Sequence, residues 1–188
     1  HSKVPVINGL CDLYHPCQAM ADLMTIYEKK GKLEGLKLAW IGDGSNVCNS
    51  LIISCTKLGM KVSVATPVGF EPNQEIVEEA KQTGLLELFN KPEEALSGAD
   101  IVVTDTWVSM GQEDDKEERL KAFEGYTVSM DMLRNNNASD ALIMHCLPAH
   151  RGYESSDDAL DSENSVVFDE AENRLHVQQA IMLKLLEK

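Results

Sequence analysis

The segment Asp105-Thr106-Trp107-Val108-Ser109-Met110-Gly111-Gln112-Glu113 runs off the polar end of the apolar stretch Ala99-Asp100-Ile101-Val102-Val103-Thr104. A β-branched apolar run reads as a buried strand. A carboxylate, a hydroxyl and a glycine gathered at its exit read as a loop that holds a ligand. A Ser-Met-Gly turn offers backbone N–H groups beside Asp105, so both charges of a zwitterionic amino acid can be met there.

Three further clusters carry residue types able to do chemistry: Gly42-Asp43-Gly44-Ser45-Asn46, His145-Cys146-Leu147-Pro148, and His15-Pro16-Cys17-Gln18. The first resembles a phosphate-cradling turn, but Val47 stands where a third glycine would complete a dinucleotide fingerprint, and no acid closes the next strand. It remains a helix N-terminus suited to a carboxylate, with the Asn46 amide beside it, or simply a tight turn that uses glycine. Cys146 follows an apolar run and precedes Leu147-Pro148, which fixes its thiol at the strand end. It is either a small core residue or a ligand contact. Neighbours leaving a strand point to opposite faces, so His145 and Cys146 do not form a nucleophile–base pair. His15 and Gln18, three apart, share one face of a helical turn, as ligand contacts or as caps. Arg174 lies among carboxylates at the start of the last helix, where a surface ion pair is the plain alternative to a functional role. The histidines show no metal-ligand spacing.

The elements that position these clusters alternate between strand and helix. Helical spacing runs from Pro16 to Lys30, Val47 to Leu58, Pro72 to Lys81, Pro92 to Leu96, Asp114 to Ala122 and Glu170 to Leu186. Strands are expected at Leu36–Ile41, Val62–Ala65, Leu85–Leu88, Ile101–Thr104, Ala141–Met144 and Val166–Phe168. The pattern predicts an α/β fold, a doubly wound, mainly parallel sheet with helices on both faces, Rossmann-like, without internal repeats. Parallel strands would bring three of the four clusters to one carboxyl edge, where such sheets bind ligands.

Composition narrows the function classes. At 188 residues the chain can bury a full core, and its net charge of −14 argues against a nucleic-acid or membrane-surface partner. Five cysteines without a C-x-x-C pair suggest reduced thiols and a cytoplasmic location. No stretch approaches the roughly 18 apolar residues of a membrane span. The start at His1, without methionine, suggests that sequence precedes it.

Taken together, His15-Pro16-Cys17-Gln18, Gly42 to Asn46, Asp105 to Glu113, His145-Cys146-Leu147-Pro148 and Glu170 to Arg174 resemble, in order and spacing, the ornithine carbamoyltransferases. Aspartate carbamoyltransferases share the His-Pro-x-Gln segment, whereas the Ser-Met-Gly loop and Cys146 in place of proline mark the ornithine type. Ser45 stands where Asn is common. The resemblance implies transfer of a carbamoyl group from carbamoyl phosphate to the side-chain amine of ornithine, with no cofactor and no metal. It assigns catalytic roles to His15, Asp105, Cys146 and Arg174. His15 and Gln18 would contact the carbamoyl group and Arg174 would polarise it. Asn46, Asp105, Ser109 and Met110 would hold the amino-acid end of ornithine, with Cys146 and the Leu147 carbonyl beside the reacting amine. It also implies a homotrimer or higher assembly. A Ser-Thr-Arg-Thr phosphate loop is missing, so the chain is expected to be the C-terminal, ornithine-binding part of such an enzyme and inactive alone. Residues 1–34 are then a lead-in and interdomain helix, 35–169 the binding domain, and 170–188 a terminal helix that packs toward the missing carbamoyl-phosphate domain. Alternatives are a non-catalytic amino-acid-binding module, or a carbamoyltransferase for putrescine or acetylornithine.

Overall fold

A computed structural model describes residues 2–108 and 113–187. Five strands, β1 (Lys37–Ile41), β2 (Lys61–Ala65), β3 (Leu86–Phe89), β4 (Ile101–Thr104) and β5 (Leu142–His145), form one sheet in the order β3-β2-β1-β4-β5. Every neighbouring pair is parallel, from Lys37↔Lys61 between β1 and β2 to Thr104↔His145 between β4 and β5. The helices are α1 (Pro16–Lys30), α2 (Asn46–Lys57), α3 (Gln74–Lys81), α4 (Pro92–Leu96), α5 (Lys116–Ala122), α6 (Met130–Asn135), α7 (Asp157–Leu160) and α8 (Val167–Leu186).

Strand alternation divides the core in two. Leu38, Trp40, Val62, Val64, Ile101 and Val103 face α1, α2 and α3, while Ala39, Ile41, Ala65, Val102 and Ile143 face the layer that contains Leu96, Phe123 and Leu133. Both faces of the sheet are therefore covered, which a parallel sheet requires.

Local signals set the helix ends. Pro16 opens α1, and Gly31, in the left-handed region at φ 72°, closes it with its N–H on the Tyr27 carbonyl. Ser45 caps α2 by accepting from Cys48 N. Two extended approaches of the chain then hold α2 in place: Asn49 donates to Leu13 O and accepts from Asn73 N.

Two expectations require correction. Val166–Phe168 is not a strand, because Ser165 touches β5 only through an isolated bridge to Ile143 and α8 begins at Val167. Its valines are buried against the sheet from a helical start, while Phe168 is 77% exposed. The segment from Asp114 begins as a 3-10 turn, Glu113–Asp115, before α5. Helices α6 and α7 are too short for apolar periodicity to reveal.

Exposed apolar side chains lie on α1 at Met20 and Tyr27 and on α8 at Leu175, Met182, Leu183 and Leu186. No helix among the described residues is long and apolar enough to cross a membrane.

One glycine is fixed by space rather than by dihedral angle. A Cβ on Gly44 would stand 2.3 Å from Pro72 N and 2.4 Å from Glu71 C. Backbone must move to admit it, so Gly44→Ala is expected to cost about 1–3 kcal/mol in urea denaturation. Gly98→Ala, strained only through its φ of 70° in open space, should cost no more than about 1–2 kcal/mol.

Candidate functional site

The reversal of strand order at β1 and β4 opens a cleft of about 810 Å³ beyond their carboxyl ends. Thr104 Oγ1 donates to Ile41 O at 2.7 Å and pins the two strands together just below it. His15, Asn46, Asp105, Cys146 and Leu147 line the cleft, together with Asp43, Ser45 and Glu154.

Asp105 is the polar focus, buried to 6% exposure. Its Oδ1 accepts from Thr106 N at 2.7 Å and from the Cys146 thiol at 3.0 Å, and its Oδ2 from Ser45 Oγ at 3.4 Å. These bonds join the exits of β1, β4 and β5 at one carboxylate. Burial and the Asp105 charge push the Cys146 thiol well above its ordinary range. It is therefore a neutral donor and not a thiolate nucleophile.

His145 shares no hydrogen bond with Cys146 among the described residues. Its Nδ1 accepts from Leu147 N at 2.9 Å, which leaves the ring proton on Nε2, 3.2 Å from Glu154 Oε1. Burial opposes ionisation of Glu154, yet the bonds from His145 and His150 N outweigh it and hold the carboxyl below its usual range. Ligand atoms of Asp105, His145 and Cys146 lie within 4.8 Å of one another, the spacing of a cation site. Both ring nitrogens of His145 are already hydrogen-bonded and Cys146 retains its proton, so the trio is a hydrogen-bonded network as it stands.

The other expected residues divide into two layers. Asn46 Nδ2 donates to Cys11 O at 2.8 Å on the cleft wall. His15 donates its main-chain N–H to Ser50 Oγ at 2.8 Å, and its side chain makes no cap. Burial and the Arg174 charge lower its basicity, which keeps the imidazole neutral. Gln18 and Arg174 lie behind the cleft lining, joined by an Arg174 Nη1 to Gln18 Oε1 bond of 2.6 Å. Arg174 thus bonds an amide instead of the nearby carboxylates. Ser109 and Met110 fall outside the described residues.

Arg119 was not legible as part of the site. From α5 it pairs with Asp43 and donates through Nε to Trp107 O, and it lies 4.9 Å from the Phe70 ring centroid. It therefore ties the β1 turn to the β4 loop. Burial raises the Asp43 carboxyl while the Arg119 charge opposes that rise.

Fold and cleft together define an open, doubly wound α/β protein with a cleft at its topological switch point, built around the buried Asp105 carboxylate. The family model for the aspartate/ornithine carbamoyltransferase Asp/Orn binding domain matches residues 34–185, and that for the carbamoyl-P binding domain matches residues 1–28. The chain belongs to the aspartate/ornithine carbamoyltransferase family. It is 53% identical to an ornithine carbamoyltransferase of Archaeoglobus fulgidus over 100% of its own length and 61% of that relative's. A solved ornithine carbamoyltransferase from Pyrococcus furiosus superposes with a TM-score of 0.90 at 51% identity, over 96% of this chain and 59% of the other. One from Giardia lamblia does so at 0.89 and 33% identity, over 100% and 65%. The chain spans about three fifths of the length of the curated relatives it matches.

The thiols provide a test of these assignments. Cys11 is exposed, and a bond from the Asn8 side chain draws its thiol below the ordinary range. Brief alkylation at neutral pH, followed by peptide mass spectrometry, should modify Cys11 first and leave Cys146, Cys48 and Cys55 intact until denaturant is added. Labelling of Cys146 as fast as Cys11 would contradict its neutral, buried state.

Proposed function

We propose that the chain is the ornithine-binding part of an ornithine carbamoyltransferase, which transfers a carbamoyl group from carbamoyl phosphate to ornithine and yields citrulline and phosphate. The observation that carries this reading is Asp105, a buried carboxylate at the cleft centre with the neutral Cys146 thiol on it at 3.0 Å. An ammonium approaching this pair meets a negative charge that a neutral thiol does not cancel.

The chemistry follows from that pairing. A side-chain ammonium titrates at roughly 10, so it must lose a proton before its nitrogen lone pair can attack. Asp105 holds the cation in place while one proton leaves to solvent, and the second proton of the attacking nitrogen goes to the departing phosphate. The new C–N bond forms at the carbamoyl carbon, the C–O bond to phosphate breaks, and phosphate carries away the electron pair. Asn46, Asp105, Ser109 and Met110 are assigned to the amino-acid end of ornithine, Asp105 serving the reacting amine as well. The Leu147 carbonyl, Cys146, His15, Gln18 and Arg174 are assigned to the reacting amine and carbamoyl group. Alignment and charge stabilisation suffice for this reaction, and neither a covalent intermediate nor a cofactor enters it.

We assign residues 35–169 to the binding domain, with 1–34 and 170–188 as the flanking elements that meet the carbamoyl-phosphate domain. A cytoplasmic location agrees with five free cysteines. A homotrimer or higher assembly is proposed for the whole protein.

Calorimetric titration of this chain with ornithine tests the reading. Binding is expected, with putrescine and acetylornithine competing poorly. Asp105→Asn should weaken it by about 10- to 100-fold, the worth of a charged hydrogen bond. No heat at millimolar ornithine, or citrulline made by this chain alone, would count against it.

A further inference from the structure

Two carboxylates lie one layer behind the cleft. Asp22 on α1 and Glu170 on α8 are 0% and 1% exposed. One amide serves both: Gln18 Nε2 donates to Asp22 Oδ1 at 2.8 Å and to Glu170 Oε1 at 2.9 Å. Glu170 Oε2 also accepts from His145 N at 2.9 Å, so each of its oxygens takes an N–H. Asp22 Oδ2 has no donor among the described residues. The single Gln18 nitrogen that serves both holds the two carboxyl groups side by side.

The charges around the pair cannot support two anions. Arg174 on α8 is the cation nearby. Asp105 beyond β4 adds negative charge, and the Cys146 and Cys55 thiols are neutral. One carboxylate balances Arg174, while a second would stand in low dielectric against the first.

We propose that Asp22 and Glu170 share a single proton and act together as positioning residues that fix the Gln18 amide and, through it, the Arg174 guanidinium. Its value to catalysis rests on the proposed function, which places these two side chains at the carbamoyl group. The shared proton itself depends on no substrate. Burial supports the assignment by pushing Asp22 up to about 7 and Glu170 well above its usual range, the latter aided by the Asp22 charge. A carboxyl that keeps its proton on folding adds stability that is complete below its unfolded value of about 4. That stability is lost as pH rises through about 7.

Two isosteric variants separate this arrangement from a merely structural one. The proton belongs on Asp22 Oδ2, the one oxygen of the pair that accepts no N–H among the described residues, and Asp22→Asn puts an N–H in its place. Glu170→Gln instead sets an NH2 against the N–H of either Gln18 or His145. Infrared spectra of the wild-type chain at mildly acidic pH should show a buried carboxylic-acid C=O band that weakens as pH rises through neutrality, a change that is absent from D22N. D22N should keep the exchange-protected Gln18 side-chain amide resonances and lose the fall of thermal midpoint between mildly acidic and mildly alkaline pH. E170Q should lose Gln18 protection. A wild-type spectrum without the band, or D22N that unfolds or behaves as E170Q does, would overturn the proposal. Failure of ornithine to bind would count against the proposed function and leave the shared proton standing.

Discussion

The structure depends on the point where β1 and β4 part. Two parallel crossovers carry the chain outward from β1 to β3 on one side, and β4 and β5 lie on the other, so the loops leaving β1 and β4 diverge to opposite faces. That divergence creates the cleft without any bulge or kink. The Thr104 hydroxyl on Ile41 O closes the seam beneath it. Everything functional is then a matter of what the loops carry: Asp43 and Ser45 after β1, Asp105 after β4, Cys146 after β5. The tight packing of Gly44 on Glu71 and Pro72 shows how little freedom the first of these loops retains.

Polar groups are layered around the cleft, and each layer is satisfied differently. At the surface of the site, Asp105 collects neutral donors from three loops. To one side, Arg119 neutralises Asp43 while resting on Phe70 and Phe123, a desolvated pair made tolerable by a carbonyl and two aromatic faces. Behind, α1 and α8 bury two acids on one amide. Unpaired charge would be costly in each place, and each place answers with a partner drawn from a different part of the chain.

That origin of partners explains what could be seen in the sequence. Local chemistry was legible: Ile101–Thr104 and Pro92–Leu96 fall where β-branched density and a proline start put them. The parallel topology followed from the alternation of elements, and with it the convergence of Asp105, Asn46 and Cys146. Val166–Phe168 misled because two valines carry strand propensity in a place where β5 offers only a bridge. Arg119 with Asp43 and Gln18 with Glu170 were out of reach for another reason. The partners are 76 and 152 residues apart, and nothing in either local pattern points to the other. A lone arginine in an acidic helix and a glutamate at a helix start look like solvated surface until packing buries them.

The four arginines sharpen what this stretch of chain can do alone. Arg119 is held by Asp43, Arg134 by Asp131, Arg151 by Asp157 and Asp161, and Arg174 by Gln18. Each is already committed, and the cleft centre is an acceptor for cations. A doubly charged phosphate needs bidentate donors in number, and drawing Arg119 or Arg151 toward it would strip a carboxylate of its partner. Arg174 is different, because its partners, the side-chain amides of Gln18 and Gln178, are neutral, and no carboxylate loses a partner when the guanidinium moves. Of the four it is the one whose charge can be lent to a ligand at small cost, and the acid pair beneath Gln18 holds that loan in register.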